Sequence, residues 1–101
     1  MNIKNHKVKR SNLFISDFKQ ALTYISDNLQ NPIAAENLLN LVEKNIGKIC
    51  HSPHIFPKYK SQKRIYHKVQ VKNYILFYVI QKDLIILSRF LYTKRNFKNL
   101  I

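Results

Sequence analysis

The stretch YILFYVIQKDLIILSRFL, residues 74–91, decides the fold of this 101-residue chain. It contains two nearly unbroken runs of Ile, Leu, Val, Phe and Tyr, residues 74–80 and 84–91, separated by Gln81, Lys82 and Asp83. Runs this short and this rich in β-branched and aromatic residues favour strands, and a three-residue polar loop makes the strands antiparallel. Because neither run alternates with polar residues, both faces should be partly covered, so we expect the central strands of a small sheet.

Two amphipathic helices are predicted before this hairpin. Apolar residues recur at spacings of three and four over residues 12–29, which predicts a helix with Ser11 or Asn12 as its N-cap. The dipeptide Asn31-Pro32 suits the cap and first turn of a second helix, predicted over residues 32–49. The short connection makes an antiparallel αα-hairpin, whose apolar face would cover one side of the sheet.

Three further segments complete the predicted order of elements. Residues 3–10 predict a short, charged edge strand with Val8 pointing inward. Residues 50–63 contain prolines and lysines in irregular order and predict an exposed loop. Residues 64–71 alternate in polarity, which predicts a strand with one wet face, followed by a turn at Lys72-Asn73.

The expected fold class is therefore α+β. The predicted order is β-α-α-β-β-β, a small antiparallel β-sheet with the N-terminal αα-hairpin packed on one face. A chain of this length is one domain, residues 1–101, and buries roughly 65% of its unfolded surface.

The charge of the chain is large and unevenly distributed. There are 18 Lys and Arg against 5 Asp and Glu, a formal net charge of +13. Residues 11–50 contain three lysines against four acids, whereas the remaining residues contain fifteen basic groups against Asp83 alone. A low-GC genome, which inflates Lys, Asn and Ile, is an alternative explanation of much of this excess, but it would spread lysine evenly. The asymmetry therefore favours a functional basic face, made by the sheet and the termini, that meets a polyanion.

Several classes of protein are excluded by what the sequence lacks. A single cysteine, Cys50, excludes an intramolecular disulfide and fits a reducing cytoplasm, where we expect the protein to stay. No apolar stretch approaches 18 residues and the N-terminus lacks a signal-peptide core, so we expect no membrane partner. The one glycine, Gly47, excludes a glycine-rich phosphate loop, and Cys50, His51 and His54 have no second ligand cluster. We therefore expect no metal and no small-molecule cofactor.

Three motifs carry a family resemblance: YI-x-x-x-L-x-N-P-x-A-A from Tyr24, N-Y-x-x-x-Y from Asn73, and R-x-L-x-x-K-R from Arg89. Together with their order and spacing, they resemble the RelE/ParE superfamily of toxins from bacterial type II toxin–antitoxin systems. The resemblance covers nearly the whole chain. It implies a small basic toxin that is neutralised by an acidic cognate antitoxin encoded beside it.

The two branches of this superfamily differ in target, and the resemblance implies different site residues for each. RelE-like enzymes cleave mRNA in the ribosomal A site and carry an arginine directly after the residue matching Tyr74, where this chain has Ile75. Tyr92 falls where some members have a catalytic tyrosine, and Arg95 matches a second cationic position. Arg64 and Arg89 are the two candidates to replace the missing cation. The candidate catalytic set is Tyr92, Arg95 and Arg64.

The C-terminal ending, in which R-x-L-x-x-K-R is followed by Leu100-Ile101, looks more like the ParE branch, which poisons DNA gyrase. We therefore expect ParE-like poisoning of gyrase, with metal-independent RelE-like cleavage of ribosome-bound mRNA as the alternative. Candidate target-binding residues are the cations of this region and of the sheet: Arg89, Lys94, Arg95, Lys98 and Lys68.

Each of these residues also has a purely structural interpretation. Arg89 lies among apolar residues, where an unpaired arginine is costly, so it is either a partner of Asp17 or another acid, or a contact to the target. The tail cations are alternatively solvated charges. The aromatic residues Tyr74, Tyr78, Phe77 and Phe90 are expected in the core rather than on a stacking surface.

Overall fold

The computed structural model describes residues 6–101, which form a helical layer on one face of a five-stranded sheet. The order of strands across the sheet is β1-β5-β4-β3-β2, so the predicted hairpin, β4 and β5, does lie inside the sheet. The elements are β1 Lys7–Arg10, α1 Asn12–Thr23, a π-helical turn Tyr24–Asn28, α2 Pro32–His51, β2 Lys58–Lys60, β3 Ile65–Val71, β4 Tyr74–Gln81 and β5 Leu84–Tyr92.

The α+β class is confirmed, but the sheet is mixed rather than wholly antiparallel. β1 runs parallel to β5, with Lys7 opposite Leu84. The sequence did not predict this direction, because alternation along one strand carries no information about its direction in the sheet. A three-residue strand, β2, lies inside the predicted loop and pairs antiparallel with β3. The predicted strand over residues 3–10 is present from Lys7 onward, and its first residues lie outside the part that is described.

Both helices begin where their caps were predicted. The Phe14 N–H donates to Ser11 Oγ at 3.1 Å, and the Ala34 N–H donates to Asn31 Oδ1 at 3.1 Å. The first helix does not stay α-helical to residue 29, because its last turn is π-helical and Gln30 follows with a φ of 50°. Between residues 6 and 101, no helix is long and apolar enough to cross a lipid bilayer.

The main core lies between the helices and the sheet. Phe14 and Phe18 from α1 and Val42 from α2 pack against Leu76 and Phe90 of the central strands. A β-bulge explains why β5 does not alternate: Phe77 faces Arg89 and Tyr78 faces Leu87, which leaves Ser88 without a partner on β4. Leu87 and Phe90, three residues apart, consequently both reach the helical layer.

The second face of the sheet is covered by the C-terminal tail, which we define as residues 93–101. Phe97 and Leu100 pack against a cluster that contains Tyr66, Phe77 and the nearly buried Ile101. The ring centroids of Phe77 and Phe97 are 5.4 Å apart. The prediction that both faces are covered is therefore confirmed, and the tail is a packed part of the fold.

The four aromatic residues predicted for the core are buried or half-buried. Tyr78 is fully buried, and its hydroxyl donates to the Pro53 carbonyl oxygen at 2.6 Å, which ties the loop after α2 to the sheet. Burial raises the pKa of Tyr78 from 10.0 to about 12.

Alkaline pH should destabilise the protein through Tyr78. Because ionisation is disfavoured only in the folded state, the stability from this group is complete below pH 10 and is lost as the pH rises towards about 12. By about pH 11.5 the wild type should have lost about 2 kcal/mol more than Tyr78→Phe. Urea unfolding across this range measures the difference, with Tyr24→Phe at a half-exposed tyrosine as control. Parallel pH curves for wild type and Tyr78→Phe would contradict the prediction.

Candidate functional site

Acidic side chains on the two helices form ion pairs with two arginines of the strands. Arg10 pairs with Glu43 at 3.1 Å on the surface, and Arg89 pairs with Asp17 at 2.7 Å. These are the two ion pairs within the described part of the chain. The other lysines and arginines of the sheet and the tail make no ion pair within residues 6–101.

Two of the candidate cations lie over aromatic rings on the tail-covered face. The Lys68 Nζ is 5.3 Å from the centroid of the Tyr59 ring, and the Arg64 Cζ is 6.0 Å from that of Tyr66. Both rings contact Phe77 in edge-to-face arrangements. Arg64 and Lys68 thus mark one basic and aromatic region beside β2 and the first half of β3.

Tyr92 and Arg95 line a pocket of about 470 Å³ between the π-helical turn and the ends of β4 and β5. The Tyr92 ring packs edge-on against Tyr74, with centroids 5.7 Å apart. The Arg95 N–H donates to the Tyr92 carbonyl oxygen at 3.0 Å, which holds the tail close to the strand. Burial, with smaller contributions from Tyr24 and Tyr92, raises the pKa of Tyr74.

The structure does not bring the three candidate catalytic residues together. Tyr92 lies opposite Tyr74, which lies opposite Val71, seven residues along the chain from Arg64. At about 3.3 Å per residue, Arg64 is about 23 Å from this end of the sheet. Tyr92 and Arg95 are neighbours, whereas Arg64 is too far away to act on the same phosphate.

Arg89 is bound within the protein. Its Nε and Nη2 donate to the two carboxylate oxygens of Asp17 at 2.7 and 3.1 Å, and the two side chains are only 12% and 9% exposed. Its Nη1 reaches the Leu100 carbonyl oxygen at 3.4 Å, and Asp17 also accepts the Phe90 N–H at 3.0 Å. This geometry favours the structural interpretation of Arg89 over a contact to the target.

Two of the three residues in the cluster Cys50-His51-x-x-His54 contact other groups. Cys50 Sγ donates to the His6 carbonyl oxygen at 2.8 Å, and the His54 ring packs edge-on against His67, with centroids 5.6 Å apart. Across residues 6–101, no group of three or more His, Cys, Asp or Glu could hold a metal ion.

Residues 8–97 match the family described as the ParE toxin of the type II toxin–antitoxin system, parDE. The chain belongs to the ParE toxin family. It is therefore the toxin component of a type II toxin–antitoxin system and has a cognate antitoxin as its partner. No curated protein matches it.

In this ParE toxin, an apolar residue, Ile75, stands where RelE-like enzymes have an arginine. Ile75 lies opposite Gln70 on β3 and packs beside the aromatic cluster under the tail. Neither side chain of this cross-strand pair is a cation, and the Gln70 side-chain amide already donates to the Lys72 carbonyl oxygen at 2.9 Å. The pair therefore offers no replacement for the missing cation.

Sequence reasoning did not single out the helical wall of the ParE toxin's pocket. Tyr24 and Leu29 line it together with Asn73, yet the sequence indicated only a helix, a turn and family motifs for these residues. Their common feature is position: Tyr24 begins the π-helical turn, Leu29 follows it, and Asn73 precedes β4. Because a π-helical turn has no periodic signature of its own, only the motif spacing could have linked these residues.

Proposed function

We propose that this ParE toxin arrests growth by poisoning DNA gyrase and that it binds gyrase through the cations of its C-terminal tail. The observation that carries the proposal is the separation of the candidate catalytic residues, with Arg64 about 23 Å along the sheet from Tyr92 and Arg95. A nuclease must gather a base, an acid and cations around one phosphate. A binding protein needs only a fixed, complementary surface.

The tail meets this second requirement. Lys94, Arg95 and Lys98 are exposed, while Phe97 is anchored in the aromatic cluster beneath them. Because the backbone that carries these cations is already ordered, binding costs less conformational entropy than it would for a free tail. The net charge of +13 steers the toxin toward a complex of gyrase and DNA, which is strongly anionic. The compartment we propose is the cytoplasm, where both are found.

The proposal includes an acidic antitoxin. A partner of opposite charge would associate quickly with the toxin and cover the tail cations, so that the same groups serve both the target and its inhibitor.

Purified gyrase supplies the direct test. The wild-type toxin should inhibit the supercoiling of relaxed plasmid and accumulate linear, gyrase-cleaved DNA, while primer extension on translated mRNA shows no new ends. If gyrase is unaffected at excess toxin and codon-phased breaks appear in the mRNA, the proposal is wrong and the RelE-like alternative is correct.

A further inference from the structure

The pocket that contains Tyr92 and Arg95 has features of a docking site. We call it the π-turn pocket and define it by Tyr24, Leu29, Tyr74, Tyr92 and Arg95. Its volume, about 470 Å³, lies within the range of about 300–1,000 Å³ typical of ligand pockets. Leu29, Tyr24 and Tyr92 are 56%, 48% and 41% exposed, so three large apolar side chains surround one concavity.

The π-turn pocket carries one available charge, and that charge is positive. Asp17 lies in its wall, but Arg89 and the Phe90 N–H already occupy both of its carboxylate oxygens. Arg95 is exposed, and no acid within residues 6–101 pairs with it. A ligand that fits must therefore combine an apolar group with a negative charge.

Strand addition is blocked at this place. β1 covers the edge of β5 only as far as Leu87, and beyond it Asp17 occupies the Phe90 N–H that an incoming strand would need. A partner must therefore bind the pocket through side chains rather than by extending the sheet.

We propose that the π-turn pocket receives a large apolar side chain from an acidic segment of the cognate antitoxin, while Arg95 pairs with a carboxylate next to it. The inference rests on the proposed function in taking the antitoxin to be acidic and Arg95 to contact gyrase. The bound antitoxin segment covers Arg95, one of the tail cations proposed to bind gyrase. Occupation of this one pocket therefore neutralises the toxin.

The test uses a defined peptide, because the chain has no tryptophan and the emission of a bound tryptophan is seen without background. The probe is acetyl-DEWLED-amide, and its uncharged counterpart is acetyl-NQWLQN-amide. Wild-type toxin should bind the acidic peptide with a blue shift of its emission and bind the uncharged peptide about tenfold more weakly.

Two matched pairs of variants locate the site. Arg95→Ala should weaken binding of the acidic peptide about tenfold, while Lys19→Ala, which removes an exposed charge outside the pocket and outside the tail, changes it less than about twofold. Leu29→Ala should weaken binding about fivefold. Ile33→Ala, at a residue 71% exposed and outside the pocket, should have no effect.

Equal losses for Arg95→Ala and Lys19→Ala would mean nonspecific charge attraction and would overturn the proposal, as would unchanged binding by Leu29→Ala. Binding of a single-stranded RNA decamer in place of the peptide, with the same dependence on Leu29 and Arg95, would also overturn it in favour of a nucleic-acid site. The titration contains no gyrase, so its failure and a failure of gyrase inhibition are separate results.

Discussion

Replacing Arg89 by alanine is expected to lower the free energy of unfolding by about 3–5 kcal/mol, the usual loss when one member of a buried ion pair is removed. The substitution leaves the Asp17 carboxylate, only 9% exposed, without its cation, and it removes the hydrogen bond from Nη1 to the Leu100 carbonyl oxygen. A domain of this size has a total stability of roughly 5–15 kcal/mol. The variant should therefore be partly unfolded or close to it.

The second ion pair of the described chain provides the control. Arg10 and Glu43 are 40% and 46% exposed, and exposed pairs of this kind contribute about 0–1 kcal/mol. Urea unfolding of Arg10→Ala should thus stay close to that of the wild type. A double variant, Arg89→Ala with Asp17→Ala, should recover part of the loss, because no unpaired charge remains. A cost below about 1 kcal/mol for Arg89→Ala would contradict the structural role assigned to this residue.

The regular elements were predictable because each has a local signature. The two apolar runs gave β4 and β5, and the spacing of three and four gave both helices with their caps at Ser11 and Asn31. The features that were missed depend on contacts distant in sequence. β2 is three residues long and is fixed by its pairing with β3, and the direction of β1 is fixed by β5, more than seventy residues away.

The candidate site was predictable in composition but not in geometry. The charge asymmetry predicted that most cations lie outside the helices, and the Arg89–Asp17 pair was one of two interpretations that followed from an arginine among apolar residues. The separation of Arg64 from Tyr92 could not be predicted, because it depends on the register of three strands. The π-turn pocket joins Tyr24 to Tyr92 across the fold, and no local pattern indicates that contact.

The central claim is that the position of the tail cations, and not the net charge alone, enables the toxin to act on gyrase. Two triple variants remove the same charge from exposed positions. One is Lys94→Ala, Arg95→Ala and Lys98→Ala in the tail, and the other is Lys19→Ala, Lys44→Ala and Lys48→Ala on the helices.

Inhibition of supercoiling by purified gyrase, measured for wild type and both variants at one salt concentration, tests this claim most directly. We predict that the tail variant needs at least about tenfold more toxin for half-inhibition, whereas the helix variant stays within about twofold of the wild type. Equal losses in the two variants, or no inhibition by the wild type, would contradict it.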